Sequence, residues 1–249
     1  MPLTPGPQLV RSSRNILLRQ LSVADQALLE AHVREVMVER GARVMKAGER
    51  LDTLCFPDQA LLSLEEEVGD GRRLEVGIVG LEGVLGWPLL LGTDRASHTA
   101  TVQMRPGRLL CLDNEAARAV CARSKTLIAS LLKYVGTVLA QMASSVAATL
   151  EYALEQRLAR FLLMRHDRVA GDLLVLQHQE IADSLNARRA SITDRLHILE
   201  GEQLIRCKRG RLVIRDRGAL EMFAGRSYGT AEASYRTLIA PFGKSVLPA

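Results

Sequence analysis

The 249-residue sequence predicts an α+β chain in three parts: an antiparallel, jelly-roll-like β-roll, one long helix, and two short helices closed by a β-hairpin. Three observations predict it. Between Val36 and Leu112 apolar residues alternate with period two, and glycines interrupt them at fairly regular intervals. From Ile128 to Ala153 apolar positions step alternately by four and three residues, a heptad seam. From Gln177 to Arg215 two short amphipathic segments meet at Asn186, and a basic hairpin follows. The expected division is residues 1–112, 113–150 and 151–249.

The totals describe a folded chain rather than a disordered one, with 47% hydrophobic and 24% charged residues. The net charge of +5 is informative once located: residues 151–249 hold 16 Lys/Arg against 12 Asp/Glu, and residues 1–150 hold 17 against 16. Arg206, Lys208, Arg209, Arg211, Arg215 and Arg217 stand together against Asp216 alone. Such a run is ordinarily a solvated face, but beside a helical pair it points to an anionic partner. Cys55, Cys111, Cys121 and Cys207 form no CxxC pair and are expected to be reduced and structural, in a cytoplasmic protein. No apolar leader precedes Pro5, and the uncharged run Tyr134 to Leu150 is too short and too polar to span a bilayer, so no membrane association is expected.

In chain order, residues 1–15 carry three prolines and read as a loose arm. Ser22 is placed to cap a short helix, with Asp25 three residues on and Leu21, Ala24, Leu28, Leu29 and Val33 at helical spacing. In the roll, Leu74, Val76 and Ile78 alternate with Arg73, Glu75 and Gly77, so one face should be buried. Asp70-Gly71 should form a two-residue turn to the strand containing Leu62 and Leu64. Gly41, Gly48, Gly69, Gly80, Gly92 and Gly107 break the remaining strands.

Any chemistry in the roll would come from the stretch Gly80 to Pro88 and from Arg95 to Ala100. Glycine-rich turns let backbone N–H groups approach an anion, with Arg, Ser or Thr completing the site. The candidate effector residues are Glu82, Gly83, Gly86, Trp87, Arg95, His98, Thr99 and Ala100. The plainer alternative is that these glycines only make turns and that His98 is structural, since no second ligand stands at metal spacing.

The helical pattern resumes at Asn114. Ile128, Leu132, Val135, Leu139, Met142 and Val146 form the seam, for which a second copy of the chain is the simplest partner. Leu127, Leu131, Tyr134 and Val138 form another stripe that can hold the helix to the roll, and Gly136 marks a close approach or a bend. A helix from Glu155 to Val169 follows, ended by Ala170-Gly171-Asp172, with a short strand from Leu173 to Leu176.

In the two-helix unit, His178 to Leu185 points Ile181 and Leu185 inward, with small Ala182 where a second helix crosses. Asn186 suits a left-handed turn. The second helix, Arg188 to Glu200, buries Ile192, Leu196 and Leu199 and exposes Arg188, Arg189, Ser191, Thr193, Asp194 and Arg195. Those positions suit base edges and phosphates in a major groove, and the Lys208-Arg209-Gly210-Arg211 turn suits a phosphate backbone. An ordinary helical hairpin with a charged surface is the alternative.

Glu155 to Arg160, Gln179 to Ala182, Arg188 to Thr193 and Leu204 to Arg211 together resemble a transcription regulator of the Crp/Fnr superfamily, and the resemblance covers nearly the whole chain. It implies a cyclic-nucleotide-binding-type roll, a dimerising helix and a winged helix-turn-helix. By the resemblance Arg189 reads bases, Ser191 and Gln179 contact phosphate, and Lys208, Arg209 and Arg211 form the wing. Gly80 to Gly86 and Arg95 to Ala100 resemble the roll's phosphate cassette. The implied partners are palindromic duplex DNA, a second copy of the chain and, as a candidate, RNA polymerase.

Departures narrow these implications. Gly86-Trp87-Pro88 stands where a cyclic-AMP-binding relative has Gly-Glu-Leu, and His98-Thr99-Ala100 where it has Arg before Ser/Thr-Ala. The ribose carboxylate and the phosphate guanidinium are both missing, so the expected effector is an unidentified small molecule other than cyclic AMP, or none. Arg95 is the candidate substitute cation. The cysteines lack the N-terminal cluster of Fe–S sensors. Ala190 stands where better-known members place Glu, and Arg195 where they bury an aliphatic side chain, so a different operator is expected. A rival reading is a small-molecule receptor whose C-terminal unit contacts protein. No enzyme is expected, since Glu65-Glu66-Glu67 alternates across a strand and no catalytic constellation stands out.

Overall fold

The computed structural model describes residues 8–69 and 71–244. In chain order the helices are α1 (Ile16–Arg19), α2 (Val23–Glu30), α3 (Asn114–Arg123), α4 (Lys125–Glu151), α5 (Leu154–His166), α6 (His178–Ser184), α7 (Arg189–Gly201), α8 (Arg217–Ala224) and α9 (Thr230–Leu238). The strands are β1 (Arg34–Val38), β2 (Arg43–Met45), β3 (Thr53–Pro57), β4 (Leu62–Val68), β5 (Arg72–Val79), β6 (Thr99–Val102), β7 (Gly107–Asp113), β8 (Leu173–Leu174), β9 (Ile205–Lys208) and β10 (Arg211–Ile214). Two compact units result: Met1–Leu62 with Val79–Gly136, and Ser63–Ile78 with Thr137–Ala249. The β4–β5 hairpin and the second half of α4 are thus counted with the C-terminal elements.

In the first unit, Ser22 caps α2 by accepting the Asp25 N–H at 3.1 Å, as the sequence predicts. The expected loose arm is corrected for residues 8–15; residues 1–7 lie outside the described residues. Val10 is fully buried. Asn15 caps α1 by accepting the Leu18 N–H at 3.0 Å, while its amide donates to the Pro57 and Gly83 carbonyls at 2.8 and 2.9 Å. Ser13 Oγ donates to Asp58 Oδ1 at 2.6 Å. Local composition does not reveal partners that far away in sequence.

Strands β1, β7 and β3 form one antiparallel sheet in that order, and β2 pairs with β6 through an irregularity between Arg43 and Met45. The β3–β7 register sets Cys55 opposite Cys111, and the two are joined by a disulfide with Cα atoms 4.1 Å apart. This corrects the expectation of four reduced cysteines, since strand register brings together residues that sequence spacing keeps apart. Cys121 and Cys207 are free.

The long helical stretch breaks at Ser124 (φ −132°, ψ 111°) into α3 and α4. The Ser124 hydroxyl accepts the Leu127 N–H at 3.1 Å and donates to Asp25. Burial opposes ionisation of Asp25, but hydrogen bonds from Ser124, Ser22 and Thr126 outweigh it and hold the carboxyl below its ordinary value. At 27 residues, α4 is long and apolar enough by length and composition to cross a membrane, which the shorter uncharged run did not predict. Leu127, Leu131 and Tyr134 are nevertheless buried, as a core-facing stripe requires.

In the second unit, β4 ends at Val68 and β5 begins at Arg72, so the loop has three positions rather than two. Gly71 takes φ +78° and donates to the Val68 carbonyl at 2.8 Å, while Asp70 lies outside the described residues. The β5 strand also departs from a one-sided pattern. Gly77 and Ile78 are both buried, because Gln141 of α4 accepts the Ile78 N–H at 2.7 Å and lies where a Gly77 Cβ would meet it at 2.8 Å. Helix α5 packs on α8 and α7, and strands β8, β10 and β9 make a sheet in that order.

Candidate nucleic-acid interface

Helices α6 and α7 meet at Asn186, which adopts φ 49°, the left-handed turn expected there. Three contacts shape the turn. Glu180 accepts the Gln177 N–H at 2.8 Å in front of α6, and Arg157 Nη2 donates to the Leu185 carbonyl at 2.7 Å behind it. His178 Nδ1 lies 2.9 Å from Thr193 Oγ1, tying α6 to α7. Ile181, Ala182, Ile192, Leu196 and Leu199 are buried, so the apolar faces match their sequence reading; Leu185, expected to point inward, is only half-buried.

The polar residues divide by what they touch. Arg188, Arg189 and Asp194 are exposed, and Ser191 is half-buried. Arg188 is the N-cap of the 13-residue α7 and Arg189 its first residue. Two guanidinium groups therefore stand at a helix end whose unpaired N–H groups favour anions. Gln179 is exposed and donates to Asp183 at 2.7 Å. Thr193 donates to the Arg189 carbonyl at 3.1 Å, so its hydroxyl is partly spent within the unit. Arg195, expected on the open face, is half-buried, with Nε 3.4 Å from Glu155 Oε2. His178 was not among the expected site residues. Burial, then the charges of Arg189 and His197, lower its pKa and favour the neutral ring.

The hairpin of β9 and β10 sets Lys208 opposite Arg211, and Gly210 turns the chain at φ +68°. Ile205, Leu212 and Ile214 face inward and are buried. Lys208, Arg209 and Arg211 form no ion pair among the described residues. The unit thus presents two arginines at the N-terminus of α7 and three cations on the β9–β10 hairpin.

Residues 156–223 match the Crp-like helix-turn-helix domain. The fold is that of several solved regulators. A CRP-family transcriptional regulator from Thermus thermophilus is 24% identical, with 76% of this chain and 96% of that one covered at a TM-score of 0.65. FixK2 from Bradyrhizobium japonicum is 15% identical over 78% and 98%, at 0.67. CLP from Xanthomonas campestris, described as a c-di-GMP-responsive global regulator, is 16% identical over 78% and 99%, at 0.63. No protein of curated function matches the sequence.

The chain has the Crp/Fnr fold and carries a Crp-like helix-turn-helix domain.

In this Crp/Fnr fold the space beside Gly83 and Gly86 is filled by the chain itself. A Cβ on Gly83 would lie 2.1 Å from the Tyr134 hydroxyl, and one on Gly86 (φ +84°) would lie 2.4 Å from the Thr53 carbonyl oxygen. The group approaching each of these two glycines belongs to the protein: a tyrosine side chain at Gly83 and a backbone carbonyl at Gly86. Glu82 is buried and accepts the Gly80 N–H at 3.1 Å. Trp87 is buried, with its ring 6.5 Å from that of His98. Thr99 Oγ1 accepts the Ala47 N–H at 3.2 Å, and Ala100 is fully buried. Arg95 is exposed and donates to the Gly48 carbonyl at 3.0 Å. Tyr134 was assigned to a packing stripe and not to the cassette, because nothing local in sequence links it to Gly83.

Along α4 the seam is largely open. Leu132, Leu139 and Val146 are 41%, 56% and 60% exposed, and Ile128 and Met142 are half-buried. Val135 is buried at 5% and so leaves the free stripe, since it stands four residues after buried Leu131 and three before buried Val138 on neighbouring turns. Leu150, four residues beyond Val146 and 77% exposed, extends it.

Proposed function

We propose that the protein is a homodimeric, sequence-specific DNA-binding transcription regulator of the cytoplasm. The observation that carries this reading is the pair Arg188 and Arg189 at the N-terminus of α7, together with the cationic β9–β10 hairpin, within a Crp-like helix-turn-helix domain. Arg189 makes the base contact, Ser191 and Gln179 contact phosphates, and Arg188, Thr193 and Asp194 line the same groove. Lys208, Arg209 and Arg211 lie along the backbone. The open α4 seam pairs two copies, and the resulting symmetry calls for a palindromic operator. RNA polymerase is the further partner, and no membrane is.

The working division is a sensor roll (1–112), a dimerising helix (113–150) and a DNA-binding domain (151–249). Lacking a carboxylate at Trp87 and a guanidinium at His98, the roll answers to an effector other than cyclic AMP, or to none. An effector acts only through different affinities for two arrangements of the recognition helices. Selecting operators from random duplexes, then repeating binding with cyclic mononucleotides and cyclic dinucleotides, tests the proposal. The expected result is a palindromic consensus whose affinity cyclic AMP leaves unchanged. Failure to enrich any consensus would overturn the sequence-specific reading.

A further inference from the structure

The outer face of the β8–β10–β9 sheet is a charged surface that begins at Lys208 and Arg211 of the hairpin and extends beyond them to Arg206 and Arg215. Pairing places Leu173 beside Val213 and Val213 beside Arg206, and strand alternation sends Arg206, Lys208, Arg211, Val213 and Arg215 to one side. Leu174, Ile205, Leu212 and Ile214 go to the other and are buried. The outward residues, with Leu173, line a groove of about 420 Å³. Its walls carry four cations and no carboxylate, and none of the four is in an ion pair among the described residues. Its floor is aliphatic: Leu173 is 43% and Val213 37% exposed.

We propose that this groove docks an acidic segment of another protein, one carrying an aliphatic or aromatic side chain between its carboxylates. The cationic rim supplies charge complementarity and orientation, and burial of Leu173 and Val213 supplies the apolar contact. A nucleic-acid backbone satisfies the cations but leaves Leu173 and Val213 against phosphates, with nothing apolar to cover them. Arg206 and Arg215 also lie away from the Arg209-Gly210 turn by which the hairpin reaches a duplex.

The test uses the full-length protein and a fluorescein-labelled peptide of Asp, Glu and Leu, read by anisotropy with and without saturating duplex DNA. Binding is expected without duplex and should weaken when duplex occupies Lys208 and Arg211. A matching peptide of Asp, Glu and Ser should bind more weakly than the Leu-containing one. The double variant Arg206→Glu/Arg215→Glu should lose about tenfold or more in peptide affinity while its duplex affinity changes by less than about twofold. Val213→Asp should weaken the peptide without altering the salt dependence of duplex binding. Absence of peptide binding by the wild type would overturn the proposal. So would a double variant that loses duplex affinity and salt dependence together, because the face would then be a phosphate track. The peptide measurement without duplex does not depend on the DNA-binding reading, so the two can fail separately.

Discussion

The Arg165 guanidinium, which has no exposed surface, is held by the Glu75 carboxylate, with Nη1 3.1 Å from Oε1. Glu75 also accepts from Ser63 at 2.8 Å, while Arg165 Nε has no partner. Pairing permits this buried charge, and removing one partner strands the other. Glu75→Gln should therefore destabilise the protein by about 3–5 kcal/mol in urea unfolding. The double variant Glu75→Leu/Arg165→Met should recover most of that loss.

His166 titration should set an acid limit on stability. Arg217 Nη1 lies 2.9 Å from His166 Nδ1, and because a guanidinium only donates, Nδ1 must accept; Nε2–H then donates to Asp172 at 2.9 Å. Burial and the neighbouring cations lower the His166 pKa, although Asp172 opposes them. The unfolded chain therefore binds the proton first, so stability is present above the ordinary histidine value of about 6.5 and falls as pH drops through it. Melting temperature should decline between neutral and mildly acidic pH. His166→Asn, which keeps an acceptor for Arg217, should flatten that decline.

Arg189→Ala should abolish preference for the selected operator. Lys208→Ala should instead weaken all duplexes roughly equally and lower the slope of log K against log salt by about one. Competition binding at several salt concentrations separates the two effects.

Leu139→Asp should convert the protein to a monomer in sedimentation experiments. Leu139 is 56% exposed on α4, so the charge enters no core and helix content should persist.

Gly83→Ala should destabilise the protein, by about 1–3 kcal/mol, because the new methyl collides with the Tyr134 ring. Combining it with Tyr134→Leu should cost less than the sum of the single changes, as chemical denaturation would show.

Much of the fold was legible because its signals are local. Ser22 capping α2, Asn186 in a left-handed turn, and Ile192, Leu196 and Leu199 on one face of α7 each follow from spacing within a few residues. The exposure of Arg188 and Arg189 was legible for the same reason, since a short amphipathic helix with a known buried face leaves few other positions exposed. The His178–Thr193 tie was less so: it joins side chains on different helices.

By itself the sequence determined the run from roll to long helix to two-helix unit and hairpin, the core face of α7 and the concentration of cations near the C-terminus, because periodicity and charge are properties of neighbours. Only the tertiary structure decided which distant residues meet. Register joined Cys55 to Cys111, packing buried Arg165 against Glu75, and Tyr134 took the space above Gly83. It also brought Arg206 and Arg215 to the same sheet face as Lys208 and Arg211, since strand alternation assigns sides only once the pairing of β8, β9 and β10 is set. The physical reason is common to all of these. Long-range contacts depend on chain closure and register, to which each residue contributes only in combination with its eventual neighbour.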